Sequence, residues 1–125
     1  MYISAEQMIS VVNAMELKEK SVNNCMIISV SGNLVLSSEI NRLERRIYSV
    51  FRKQKQIILD LNELNLIGSQ GIQMLLEVWQ DIYYSKGLLI LACMQSAARI
   101  AFSINKAYAF IETGTVAEAL EKIKC

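Results

Sequence analysis

The sequence predicts an α/β fold: one domain with a mixed, mostly parallel sheet of four to five strands and about four helices. Three observations carry that reading. Ile57–Leu59 and Leu88–Ala92 are unbroken apolar runs, the pattern of central strands covered on both faces. Between them Ile72, Leu75, Leu76, Trp79, Ile82 and Tyr83 recur at helical spacing, which makes the stretch a strand–helix–strand unit with a parallel crossover. Upstream, Ala14–Lys20 and Cys25–Val30 roughly alternate around Asn23-Asn24, a hairpin pattern that adds an antiparallel strand.

The first residues, 1–12, read as an N-terminal extension in which Ala5–Val12 is either a short outer helix or a tail, and residues 13–125 as the domain itself. Gly32 is expected to end the second strand. Ser37 or Ser38 can cap the next helix, whose apolar positions Ile40, Leu43, Ile47, Val50 and Phe51 form one stripe and leave Glu39, Arg42, Arg45 and Arg46 on other faces. Gly87 is placed to stop the helix of the crossover unit. A further helix over Ser96–Asn105, a short strand near Ala109–Ile111 and a last helix over Thr115–Lys124, with Val116, Ala119, Leu120 and Ile123 inward, complete the alternation.

Composition narrows the function. A chain of 125 residues with 53% hydrophobic and 20% charged content forms a compact core rather than a disordered segment. Thirteen basic and twelve acidic side chains nearly cancel, so no long-range field draws the chain to nucleic acid or to an anionic membrane. Cys25, Cys93 and Cys125 are scattered and odd in number, which fits reduced thiols in a cytoplasm and no metal site. No secretory signal opens the chain, and Leu88–Met94, its longest apolar run, is too short to be inserted in a membrane. Histidine is absent, which removes the commonest general base and the commonest transition-metal ligand. Ser69 lies in a strand–turn–helix setting, but Ile67 stands where a nucleophile elbow has its first glycine. No Walker loop is present either, so no catalytic residue and no cofactor is expected.

Residues 57–72 are the functional candidate, because a buried strand there runs through a short loop into a helix that opens on Ser69. Backbone N–H groups at a helix start lack helical acceptors, a setting where a phosphate is tolerated. The simplest structural role for Ser69 is an N-cap accepting the N–H of Gly71 or Ile72; if Gly68 caps instead, Ser69 becomes the first helical residue with a free hydroxyl. Asp60 after a buried strand reads as a turn cap, and Gly71 as a position of close backbone approach. Arg42, Arg45, Arg46, Arg52, Lys53 and Lys55 are interrupted by Glu39 and Glu44 and read as a solvated face. Trp79 and Met74 are expected in the core, and Cys93 as a buried small hydrophobe.

Leu59-Asp60-Leu61 followed by Leu66-Ile67-Gly68-Ser69-Gln70-Gly71-Ile72, with Gly32-Asn33-Leu34 before and Lys86-Gly87 after, resembles the STAS domain family of bacterial anti-sigma factor antagonists. The likeness runs from about Met15 to Ile123. It implies a non-enzymatic, cytoplasmic protein-binding module in a partner-switching pathway of transcription regulation. By the same resemblance, Ser69 matches the serine phosphorylated by an anti-sigma factor that is also a serine kinase of the histidine-kinase-like ATPase type, the unmodified form being the one that binds it. ATP then belongs to the partner. Asn33, Gly68, Ser69, Gln70 and Gln73 are the implied contact residues, with Asp60 and Gly71 structural, and a homodimer stays open. The chain departs from the family at Gly68, Asn33 and Val35, where acidic residues are common, and at Gln70, which replaces a hydroxyl residue. Gly68 and Gln70 favour an alternative, an unphosphorylated STAS scaffold subunit of a sensory or lipid-transport complex.

Overall fold

The computed structural model of the chain describes residues 15–96, 99–100, 111–113 and 115–122. Strand β1 (Glu16–Val22) pairs antiparallel with β2 (Cys25–Leu34) through a turn in which Asn23 takes a left-handed φ of 54°, a conformation that asparagine tolerates better than most residues. Beyond β2 the sheet is parallel, through β3 (Gln56–Asp60), then β5 (Leu88–Ala92) and β6 (Ile111–Thr113); the short β4 (Leu64–Ile67) branches off and pairs with the end of β2 alone. Helix α1 (Ser37–Phe51) links β2 to β3, α2 (Ser69–Tyr84) links β4 to β5, and α3 (Val116–Lys122) follows β6. This is the expected α/β architecture, a five-strand path with one antiparallel edge strand.

Of the third expected helix, 96–105, most lies outside the described residues, as do the N-terminal extension 1–12 and the chain after residue 122. The short strand falls at Ile111–Thr113, two residues beyond the expected position.

Helices α1 and α2 cover one face of the sheet. Ile28, Val30, Leu34, Ile57, Leu59, Leu89 and Leu91 meet Leu43, Ile47, Leu75, Val78 and Ile82 in a single core, because alternate strand residues point to the same side. Tyr48 of α1 donates its hydroxyl hydrogen bond to Asp81 of α2, and partial burial together with that carboxylate holds the phenol far above its ordinary pKa. On the opposite face Cys25, Ile27, Ile58, Ile90 and Ala92 pack with Ala119 of α3 in a smaller cluster.

Five local expectations are corrected. Strand β2 does not end at Gly32. That residue takes φ 88° and the strand continues to Leu34, while the pairing register with residues 64–67 shifts between Gly32 and Asn33, leaving Asn65 as the extra residue on the facing strand. Residues 64–67, expected as loop, form β4 on that continuation. The N-cap of α1 is Leu36, with no side-chain cap, and Ser37 is already helical. The buried side of α2 includes Val78 beside the expected Met74 and leaves Tyr83 61% exposed, stacked on the half-buried Trp79. Cys93 is half-buried at φ 59°, and burial, followed by the Asp60 carboxylate, raises its thiol pKa.

The end of α2 is a Schellman motif, with Gly87 N–H on Ile82 O (2.7 Å) and Lys86 N–H on Tyr83 O (3.1 Å). Its left-handed residue is Lys86, φ 64°, not the glycine. Gly87 is required for a different reason: a Cβ there would lie 2.3 Å from Phe51 Cε1 and 2.8 Å from Ile82 Cγ2.

Candidate functional site

Strand β3 ends on a turn tied from several sides. Asp60 Oδ1 accepts the N–H of Asn62 (3.0 Å), Asp60 Oδ2 accepts the Ser29 hydroxyl (3.4 Å), and Leu61 N–H donates to Ala92 O (2.9 Å). Asp60 is thereby engaged within the fold; among the described residues no group of three or more Cys, Asp or Glu is placed to hold an ion. Leu61 and Leu64 are fully buried and anchor the chain before it turns along β2.

From there β4 runs parallel to the tip of β2, with Asn33 opposite Leu66 and Leu34 opposite Ile67. Gly68 extends the ladder by donating its N–H to Leu34 O (3.1 Å), and its backbone is still extended, φ −91° and ψ 172°. Because Gly68 is held in that ladder, it becomes the N-cap of α2, its carbonyl accepting the first helical bond from Ile72 N–H (3.1 Å). Ser69 is therefore the first helical residue and not the cap. The amides of Ser69, Gln70 and Gly71 precede the first helical hydrogen bond, so three donors converge at this end.

Ser69, Gln70 and Gln73 are exposed, Gly68 and Asn33 are half-buried, and Gly71 is buried. Gln73 reaches down the helix to Glu77 Oε1 (3.3 Å). Gly71 is the point of closest approach: a Cβ would sit 3.0 Å from Leu34 O, 3.1 Å from Ile67 Cγ1 and 3.2 Å from Leu34 Cγ. Asn33, Gly68, Ser69 and Gln70 thus gather on one tip of the molecule, where β2, β4 and α2 meet, with Gln73 one turn along α2.

At this tip the sequence reading named Val35 only as a departure from the family and missed Leu36 and Leu66 beside it. Val35, Leu36 and Leu66 are 45%, 55% and 57% exposed there, and they are three of the six large hydrophobic side chains that face solvent among the described residues. Alternation along β4 was the only signal for Leu66, and a four-residue strand is too short to show it.

Arg42, Arg45 and Arg46 sit elsewhere, along a shallow groove of about 750 Å³ between β1 and α1 that also involves Leu17, Glu19, Ser38 and Ser49. Arg46 pairs with Glu19 and Arg42 donates to Met15 O, so two of the three are engaged in holding β1 to α1.

Residues 16–122 match the STAS domain family model, and the chain belongs to that family. No curated protein sequence matches it. Its fold is similar to that of an anti-sigma factor antagonist from Mycobacterium paratuberculosis (TM-score 0.78, 18% identity, 89% of this chain and 95% of that one). It is also similar to the anti-sigma factor antagonist SpoIIAA in its unphosphorylated form (TM-score 0.72, 18% identity, 86% and 95%). The Bacillus cell fate determinant SpoIIAA in the phosphorylated form has the same fold (TM-score 0.68, 18% identity, 89% and 100%). The identities are low, so the likeness to these structures concerns the fold. Among the described residues no helix is long and apolar enough to cross a membrane.

Proposed function

We propose that this STAS domain is an anti-sigma factor antagonist-like binding module of the cytoplasm, with residues 13–125 as the working domain and Ser69 as a phosphorylation switch. The partner is an anti-sigma factor that is also an ATP-dependent serine kinase of the histidine-kinase-like type, so the domain itself catalyses nothing. The observation that carries the reading is the position of Ser69: an exposed hydroxyl on the first residue of α2, beside three amides without helical acceptors and not serving as the cap. That SpoIIAA, of the same fold, has a phosphorylated form supports it.

The physics of such a switch is asymmetric. A phosphoserine adds about 1.5 to 2 negative charges, and at a helix start the dipole favours it by roughly 0.3 to 2 kcal/mol, so the fold is kept. Closed inside an interface without a cation it would be desolvated, and a loss of about 4 kcal/mol weakens binding roughly a thousandfold. Incubation with a purified kinase of this type and ATP is expected to add one phosphate to the wild-type chain and none to Ser69→Ala. Ser69→Ala should unfold within about 0.5 kcal/mol of wild type, because the hydroxyl caps nothing. An intact mass that never changes while a control substrate is modified in parallel defeats the reading.

One observation favours the scaffold alternative. Gly68 leaves the residue before the serine without a carboxylate, so a kinase that orients the loop through an acid has no handle here. Constitutive docking to a sensory or transport complex, unchanged by Ser69→Asp, is the outcome that reading requires.

A further inference from the structure

Register fixes which side chains share the outer face of the Ser69 tip. Asn33 lies directly opposite Leu66, and residues two apart on a strand point the same way, so Asn33 and Val35 of the β2 end and Leu66 and Gly68 of the β4 end form one face. The neighbours agree: a Cβ on Gly68 would lie 3.9 Å from Val35 Cγ1 and meet nothing closer. Leu36, the cap residue of α1, continues the patch. Residues 21–38 and 64–76, which supply both strands of the tip and the first half of α2, contain no Asp, Glu, Lys or Arg, in a chain that is 20% charged. The polar groups that do face outward are neutral, Ser69 and the amides of Gln70 and Gln73. Beneath the rim, Asn33 Oδ1 is buried with no hydrogen-bond partner.

A basic contact surface on a partner would find nothing to neutralise here and would lose its hydration for no return. We propose that the partner docks on this tip through an apolar, uncharged face that covers Val35, Leu36 and Leu66, leaving a phosphate on Ser69 as the only charge on the covered surface. The proposal rests on the phosphoswitch reading and adds to it the chemistry of the partner. It also explains how a chain without the acidic residues common at positions 33, 35 and 68 can still be switched. With no fixed charge in the contact, added charge has no local cation to meet and acts with its full desolvation cost.

Two measurements on the full chain test this. With the kinase that modifies Ser69, the dissociation constant should change by no more than about twofold between 50 and 500 mM NaCl, since screening acts only on charged contacts. Leu66→Ser, an exposed change that leaves the unfolding midpoint in place, should weaken the complex by about tenfold or more. With the chain alone, the uncharged dye Nile red should brighten on wild type and lose at least about half of that enhancement on Leu66→Ser, because the patch is the binding surface. A kinase complex that loses about tenfold or more affinity over the same salt range overturns the proposal and leaves the phosphoswitch standing. So does an unchanged dye signal in Leu66→Ser, or a dimer of this chain that the same substitution abolishes. A kinase that neither binds nor phosphorylates the chain overturns the phosphoswitch reading and the partner named here together.

Discussion

At the Ser69 tip, two strands and a helix start meet solvent through Val35, Leu36, Leu66 and neutral amides, whereas along β1 and α1 the chain meets solvent through ions that hold the edge strand in place. There Glu39 accepts the N–H of Met15 (3.0 Å), Arg42 donates to Met15 O, and Arg46 donates through Nε and Nη2 to the two carboxylate oxygens of Glu19. Edge strand β1 is exposed along most of its length and carries Glu16, Lys18, Glu19 and Lys20, the kind of charged edge that discourages pairing with another sheet. The contrast separates two uses of surface. Charge at the edge secures and isolates a strand; its absence at the tip leaves a surface to be covered.

The contrast predicts that perturbing what lies under the tip costs far more than perturbing the ions of the edge. Leu34 is fully buried, its carbonyl accepts the N–H of Gly68, and its side chain lies against Gly71, so it is the floor on which the tip rests. Leu34→Ala should lower the unfolding free energy by about 2 to 5 kcal/mol, read from urea denaturation. A loss below about 1 kcal/mol would mean that the tip is not seated on the core as described. Gly71→Ala comes next. Alanine gains up to about 1 kcal/mol in helix propensity, yet its methyl would meet the Leu34 carbonyl oxygen at 3.0 Å, a backbone atom that cannot step aside as a side chain can. The net expectation is a loss of about 1 kcal/mol, with phosphorylation of Ser69 slowed because the first turn is pushed off β2.

Much of the fold was legible because its strongest signals are also its most buried elements. Ile57, Ile58 and Leu59 are fully buried, and so are Ile90 and Leu91, so continuous apolar runs did mark central strands. What escaped the sequence has local physical reasons. Gly32 signals a stop by composition, but a glycine at positive φ can equally sit inside a strand, and only pairing with β4 decides. Tyr83 shares the helical spacing of α2, yet it lies at the flank of the stripe, where three- and four-residue periodicity cannot tell a buried position from one stacked on Trp79 in solvent. Composition places Gly87 to stop the helix, yet the left-handed residue is Lys86, and the need for glycine at 87 comes from Phe51, which lies outside the segment. At the site, the motif placed Ser69 at the helix start, but the assignment of the cap to Gly68 required the hydrogen bond to Leu34 O, a partner thirty-four positions earlier in the chain.

The smallest effect belongs to the charged edge, and its sign can be worked out. The hydrogen bonds from Arg46, partly offset by burial and reinforced by its charge, hold Glu19 below the ordinary glutamate pKa. A carboxylate depressed in the folded state contributes stability that is complete above its unfolded pKa and is lost as the pH falls through the folded one. Wild type should therefore lose a small increment of stability on acidification below about pH 4.5 that Glu19→Gln lacks, while the two chains keep a constant difference at neutral pH. The pair lies at the surface, with Arg46 about half exposed, so the increment should shrink in high salt, as surface pairs do. Parallel acid titrations of the unfolding midpoint at low and high salt make the comparison. A wild-type acid slope no steeper than that of Glu19→Gln would show that the ions along β1 do not secure the strand, and that the two surfaces differ in composition alone.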